Sequence, residues 1–280
     1  MNAIELNGLT KHYKDFTLDG VTLTLPCGCI MGLIGENGAG KSTTIKLLLG
    51  MLRSDGGTVH LLGKDQSEAL PLALEEVGVV LDEPGISGCL TPKQVGEIMS
   101  GIYRNWDATA YENYLRRLSL PEGKKYKEFS RGMKMKLGIA VALSHHPKLL
   151  VLDEVTSGLD PVVRDEVLDI FSEFTRNAEN AVLISSHIVS DLEKICDYIA
   201  FLHKGKLMLC EEKDRLLEQY AIVRCSAEEL GNIDSGAVIG KKQSAYGAEA
   251  IVLREAIPSG LSVSPVDLEQ LFIFMVKEAR

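Results

Sequence analysis

Nine consecutive residues constrain this chain more than any others: Gly35-Glu36-Asn37-Gly38-Ala39-Gly40-Lys41-Ser42-Thr43. They match G-x-x-x-x-G-K-[ST] and stand between an apolar run, CIMGLI, and a helical segment, KSTTIKLLLG. Phosphate binding needs backbone N–H groups turned inward around an anion. Glycines allow that loop shape, and the helix N-terminus adds partial positive charge. Lys41 would reach the β and γ phosphates and the Ser42 hydroxyl would ligate Mg²⁺. Average residue frequencies produce such a pattern in roughly one random chain of this size per hundred. Its place between a strand and a helix lowers that further, so nucleotide phosphate binding is expected.

A second signal is Leu149-Leu150-Val151-Leu152-Asp153-Glu154. A short, wholly apolar run reads as a parallel strand covered on both faces. Its closing acid lies at the strand's C-terminal edge, where open α/β sheets bind ligands. Asp153 there would hold Mg²⁺, and Glu154 would accept a proton from an attacking water. The plainer reading of the acidic pair is a cap for the next helix.

Around these motifs the chain alternates. AIELNGL, VTLTL, CIMGLI, GTVHLLG, VGVVLD, LLVLD and AVLISS read as strands, and YIAFLH-KG-KLMLC as a hairpin about Lys204-Gly205. KSTTIKLLLG ends at Gly50, which suits a left-handed C-cap. From Glu83 to about His146 the spacing turns helical. In RGMKMKLGIAVALSHH the residues Leu137, Ala140, Val141 and Ser144 form one inward stripe, with Ser130 as N-cap and Pro147 as stop. Residues 83–146 are therefore expected to be a helical insertion in an α/β domain spanning 1–220. Residues 221–280, with short strands and a final helix carrying Leu268, Leu271, Phe272 and Met275, are expected to form a small C-terminal domain.

Together the loop 35–43, the strand ending at Asp153-Glu154, and Ser157-Gly158-Leu159-Asp160 resemble the nucleotide-binding subunit of an ATP-binding cassette (ABC) transporter, over about residues 2–215. The resemblance implies a P-loop NTPase (RecA-like) core with an antiparallel β subdomain, the helical insertion and a C-terminal α+β extension. It also implies ATP and Mg²⁺ as ligands, with hydrolysis as the activity. His187, in ISSHIVSDLE, falls where the family places a switch histidine near the γ-phosphate; a helix cap or a surface residue is its plainer reading. Tyr13 falls where the family stacks a ring on adenine, although an isolated tyrosine is more often packing. Phe129-Ser130-Arg131-Gly132-Met133 corresponds to the family's LSGGQ signature, which binds the γ-phosphate held by a second subunit. Ser130 and Gly132 remain, while Arg131 replaces a glycine and Met133 the glutamine. Asp82, followed by Glu83, takes the place of the family's Mg²⁺-sensing glutamine. It is an ionic acceptor where the family has an amide that also donates. Asp160 completes the set of residues the resemblance places at the nucleotide.

The implied partners are a second nucleotide-binding subunit, identical or paralogous, and an integral membrane permease docking between Asp82 and about Trp106. The tail PVDLEQLFIFMVKEAR is similar to the extension of bacterial exporter-type subunits. A soluble non-transport ATPase of the same class is the competing expectation. Lys41 and Asp153 are separated by 112 positions with no heptad run, which argues against chromosome-type relatives. A small-molecule kinase would need an acceptor site and a basic lid, whereas Glu154 with His187 suits water as the nucleophile.

Composition narrows the field further. At 280 residues a large core is available, and the formal net charge of −9 disfavours a nucleic-acid partner. No run approaches the ~18 apolar residues that span a bilayer, and MNAIELNGLTKHY lacks the apolar core of a secretory signal. The expected location is cytoplasmic, peripheral at the inner face of the membrane through the permease. The six cysteines are scattered, and Cys27-Gly28-Cys29 suits neither a zinc site nor an easy disulfide, so reduced thiols are expected.

Overall fold

The computed structural model describes residues 1–82, 85–244 and 247–278. They divide into two compact units, Met1–Cys210 and Glu211–Arg280.

The first unit begins with β1 (Asn2–His12), β2 (Thr17–Pro26) and the wholly buried β3 (Ile30–Ile34), which feeds α1 (Lys41–Leu48). Next come β4 (Gly56–Leu61), β5 (Lys64–Asp65), α2 (Gln66–Leu74) and β6 (Val77–Val80). Three helices follow: α3 (Pro92–Ser100), α4 (Ala108–Arg117) and α5 (Arg131–Leu143). The alternation then resumes with β7 (Leu149–Asp153), α6 (Pro161–Phe174), β8 (Ala181–Ser186) and α7 (Val189–Ile195). The hairpin β9 (Tyr198–His203) and β10 (Lys206–Glu212) ends the run.

Two sheets result, ordered β2-β1-β4-β5 and β10-β9-β3-β8-β7-β6. The first is antiparallel; in the second, β9, β3, β8, β7 and β6 run parallel. Parallel strands need cover on both faces. One face of the second sheet shares its core with the first, as Leu6, Leu9, Val21 and Leu25 join Met31, Leu33, Val151 and Leu183 in one buried cluster. All five parallel strands point their C-terminal ends the same way. That edge carries Gly35, Asp153 and Ser186, the positions from which the site is built.

The helical layer owes its order to caps and close approaches. Thr91 and Gln94 form a capping box on α3, and Asp107 caps α4. Gly96 lets α3 lie on Tyr111, where a Cβ would stand 2.6 Å from the ring. The expected stripe on α5 is buried, and Gly78 on β6 allows α5 to pass close, since a Cβ there would meet the Ala142 carbonyl at 2.6 Å. Glu83, where the insertion was expected to begin, lies outside the described residues. The strand expected over 77–82 ends at Val80, which puts Asp82 in the loop beyond the sheet.

His145 pins this layer to the sheet. Its ring is 1% exposed, stacks on Tyr103 at 3.9 Å, and its Nε2 lies 3.3 Å from the Val77 carbonyl. Burial pushes the imidazole below its ordinary value. In the unfolded chain His145 takes up a proton below about pH 6.5, while the folded chain resists it. Its contribution is therefore complete above that pH and is lost as the pH falls towards the folded value. Urea midpoints at pH 7.5 and 5.5 should differ less for His145→Phe than for the wild type; equal differences would remove His145 as a source of the pH dependence.

The second unit is an antiparallel sheet, ordered β12-β13-β11-β14, with flanking helices. In chain order it comprises α8 (Lys213–Gln219), β11 (Tyr220–Cys225), α9 (Ala227–Gly231), β12 (Val238–Ser244), β13 (Gly247–Leu253), β14 (Ser262–Ser264) and α10 (Leu268–Glu278). Val223, Ile233, Ala250 and Val252 share a buried apolar cluster. On α10, Leu268 and Leu271 are buried, and Gly240 permits close approach of Phe274.

Candidate active site

The phosphate-type loop follows β3 directly. Gly35 admits no side chain, because a Cβ would stand 2.6 Å from the Leu202 carbonyl. Gly40, with φ of 112°, is the left-handed N-cap of α1 and offers no side-chain acceptor. The first N–H groups of α1 are thus left without a capping side chain at the positive end of the helix. Lys41 is 6% exposed. Its ammonium donates to the Gly35 carbonyl at 2.7 Å and the Glu36 carbonyl at 3.4 Å. It also lies 3.2 Å from the Glu154 carboxylate.

Asp153 and Glu154 sit at the end of β7, two strands across the sheet from β3. Asp153 is buried and accepts a short hydrogen bond from the Ser185 hydroxyl of β8. Glu154 has a φ of 55°, a left-handed conformation that disfavours a residue with a Cβ. Its N–H is held by the Ser185 carbonyl at 3.1 Å and the Ser185 hydroxyl at 3.3 Å. The turn places one carboxylate oxygen on Lys41 and the other 2.7 Å from His187 Nδ1. A carboxylate only accepts, so His187 meets Glu154 with a protonated Nδ1, and Nε2 is the nitrogen left for a ligand, to which it donates when it too carries a proton. Lys41, Glu154 and His187 thus form one connected charge network across three parallel strands.

The other expected residues lie around this network. Tyr13 is half-exposed and its ring stands 6.2 Å from that of Phe16, whose edge would touch a Cβ on Gly40 at 3.0 Å. An aromatic pair therefore flanks the loop. Ser130 caps α5 by accepting from the Met133 N–H, and Asp160 caps α6 by accepting from the Val163 N–H. The cap reading of Ser130 holds, and its hydroxyl proton is still there to donate. Ser130 and Gly132 share with Gly158, Leu159 and Asp160 a cavity of about 420 Å³. Asp82 makes its ion pair not with the Lys41 network but with Arg131, at 2.5 Å.

Among the described residues, no group of three or more His, Cys, Asp and Glu side chains forms a metal cage of its own. A buried carboxylate at Asp153 and an exposed hydroxyl at Ser42 are instead the sparse oxygen set that suits Mg²⁺ carried in on phosphates.

A profile described as ABC transporter matches residues 18–157. The chain belongs to the ABC transporter family. This ABC subunit is 35% identical over 209 residues to the bacitracin transport ATP-binding protein of Enterococcus faecalis, covering 74% of this chain and 68% of that one. It is 34% identical over 214 residues to the lantibiotic transport ATP-binding protein of Streptococcus pyogenes, covering 75% and 91%. An ABC transporter ATP-binding protein of Bacillus subtilis, 30% identical, matches 96% of this chain and 97% of its own, so that relative extends through the second unit. Among solved structures, an ATP-binding subunit of an ABC transporter superposes with a TM-score of 0.71 at 27% identity, covering 78% of this chain and 92% of that one. The ABC subunit described here binds and hydrolyses ATP.

Three side chains at the site of this ABC subunit escaped the sequence reading. Ser185, which holds both Asp153 and the Glu154 backbone, was hidden in AVLISS; only the register of β7 against β8 puts it there. Phe16 lies three residues from Tyr13 and belongs to no motif that would single it out. His203 is 5% exposed and stands 3.6 Å from the Glu36 carboxylate, brought there by the parallel pairing of β9 with β3.

Proposed function

We propose that this subunit powers a separate membrane permease, in the exporting direction, by clamping ATP against a second copy or a paralogue. Each triphosphate lies along the N–H groups of residues 35–43, with adenine on Tyr13. The partner's Ser130–Gly132 and Asp160 cover the γ-phosphate. Closure excludes water except for the molecule between Glu154 and the γ-phosphate. Glu154 takes a proton from it, while Lys41 and His187 meet the charge that develops on the phosphate. Ser42 and Asp153, with Asp82 at the edge, would hold Mg²⁺, which when bound neutralises the β and γ oxygens. The single observation that carries this reading is the Glu154 carboxylate held between Lys41 and His187 beside a glycine-capped helix.

Residues 1–220 serve in this reading as the ATPase domain, with 221–280 as an appended domain. Among the described residues no helix is long and apolar enough to cross a membrane, so location at the inner face depends on the permease. A place for a permease helix is available between β6 and α3. There a cavity of about 460 Å³ is lined by Val79, Leu81, Ile86, Leu90, Ile98 and Tyr103. Ile98 and Ile102 present further exposed apolar surface on that side. The relatives named for bacitracin and lantibiotic transport support a transport role.

The test is co-expression with the membrane protein encoded beside this chain. The two should copurify, ATP turnover should rise several-fold in lipid, and Ile98→Glu should abolish both effects without changing the ATP affinity of the isolated subunit. Turnover indifferent to every membrane companion would remove the transport assignment.

A further inference from the structure

The two residues at which this chain leaves the family pattern most clearly meet each other. Asp82 stands where the resemblance expects an amide and Arg131 where it expects a glycine, yet their side chains form an ion pair across 49 residues of sequence. Asp82 lies two residues past the pairing of Val80 with Leu152, as Glu154 does on β7, so it follows the strand that flanks the acidic end of the site. There its negative charge stands on the same edge of the sheet as Asp153 and Glu154. The Arg131 stem also runs over Gly158, where a Cβ would stand 3.3 Å from Cδ. Gly158, with φ of +74°, has no side chain to displace it.

We propose that Arg131 is a positioning residue for nucleotide binding: through its ion pair it neutralises Asp82, so that a carboxylate can stand at the nucleotide edge of the sheet without repelling the triphosphate. The two departures then form one compensated unit, and removing Arg131 alone is worse for nucleotide binding than removing both. This rests on the ATP-binding reading above. Both side chains are about half exposed, so the pair adds little to folding stability. Its effect belongs to ligand binding, where an uncompensated charge acts on several phosphate charges at once.

The experiment measures ATP affinity of the isolated full-length subunit by calorimetry, at low ionic strength and in excess chelator, which separates the charge effect from any role of Asp82 on Mg²⁺. Arg131→Ala should weaken ATP binding about fivefold, the size of one screened contact between charges near a surface. Arg131→Lys, which keeps the charge, should stay within about twofold of wild type, and 0.5 M salt should shrink the Arg131→Ala defect. The double variant Arg131→Ala/Asp82→Asn should recover most of the lost affinity. Melting temperatures of all variants should stay close to wild type, so the affinities compare folded chains. Unchanged affinity in Arg131→Ala, or a double variant as weak as Arg131→Ala, overturns the proposal. A wild-type chain without affinity for ATP, with or without Mg²⁺, overturns the functional reading and this inference with it.

Discussion

Glu154→Gln is expected to bind MgATP at least as tightly as wild type, to lose turnover by about 10²–10⁴-fold, and to elute as a dimer when MgATP is present. The reasons lie in its two contacts. The amide keeps the volume that fills the turn after β7, so the loop should fold as before. It cannot take a proton from water, which removes general-base help from the step the site is built for. It also removes one negative charge that stands 3.2 Å from Lys41, leaving the ammonium more fully available to phosphate. Nucleotide therefore stays bound and uncleaved, and the clamp that ATP closes is not reopened by hydrolysis. Chromatography with a coupled phosphate assay reads both effects. Unchanged turnover would take the base role from Glu154, and lost binding would show that its charge is needed to hold the loop.

Gly205→Ala is the substitution expected to cost most stability for one added carbon. Gly205 turns the β9–β10 hairpin after Lys204, with φ values of 81° and 45° as a two-residue turn requires. A Cβ at 205 would stand within covalent range of the Thr17 carbonyl oxygen, at 1.8 Å, and that oxygen belongs to backbone that cannot swing aside. The same residue ties the phosphate loop to β2: its N–H donates to the Ala39 carbonyl in that loop, and its carbonyl accepts from the Asp19 N–H. The expected loss is about 2 kcal/mol or more, a fall in melting temperature of about 5 °C or more, accompanied by weaker ATP binding. Gly38→Ala is the control. Its φ of 81° is also left-handed, but nothing lies within 4 Å of an added Cβ, so only the conformational strain of about 1–2 kcal/mol remains. Equal melting temperatures for Gly205→Ala and wild type would mean that the hairpin can shift away from Thr17.

Much of this architecture is legible in the sequence because local signals and tertiary demands agree. The buried runs Ile30–Ile34, Leu149–Asp153 and Ala181–Ser186 read as covered strands and are such strands. Gly50 ends α1 with a φ of 67°, and Ser130 caps the helix its spacing promised. Where the reading fell short, the missing information was long-range register. Nothing near Ser185 announces a bond to Asp153, because the two meet only when β8 lies beside β7. The same holds for His203 and Glu36 across β9 and β3. Arg131 and Asp82 were each visible as departures, but a pair 49 residues apart has no local signature. The helix Lys213–Gln219 was missed for another reason: KDRLLEQ buries only Leu216, so it carries almost no apolar periodicity.

The central claim is that the backbone amides of residues 35–43, with Lys41, hold the phosphates of ATP. Calorimetric titration of MgATP into the purified wild-type chain and into Lys41→Ala tests it most directly. The account predicts saturable binding to the wild type, and an affinity lower by about 10–100-fold once the ammonium that would meet the β and γ phosphates is gone. Equal affinity in both chains, or no heat of binding in the wild type, would contradict it.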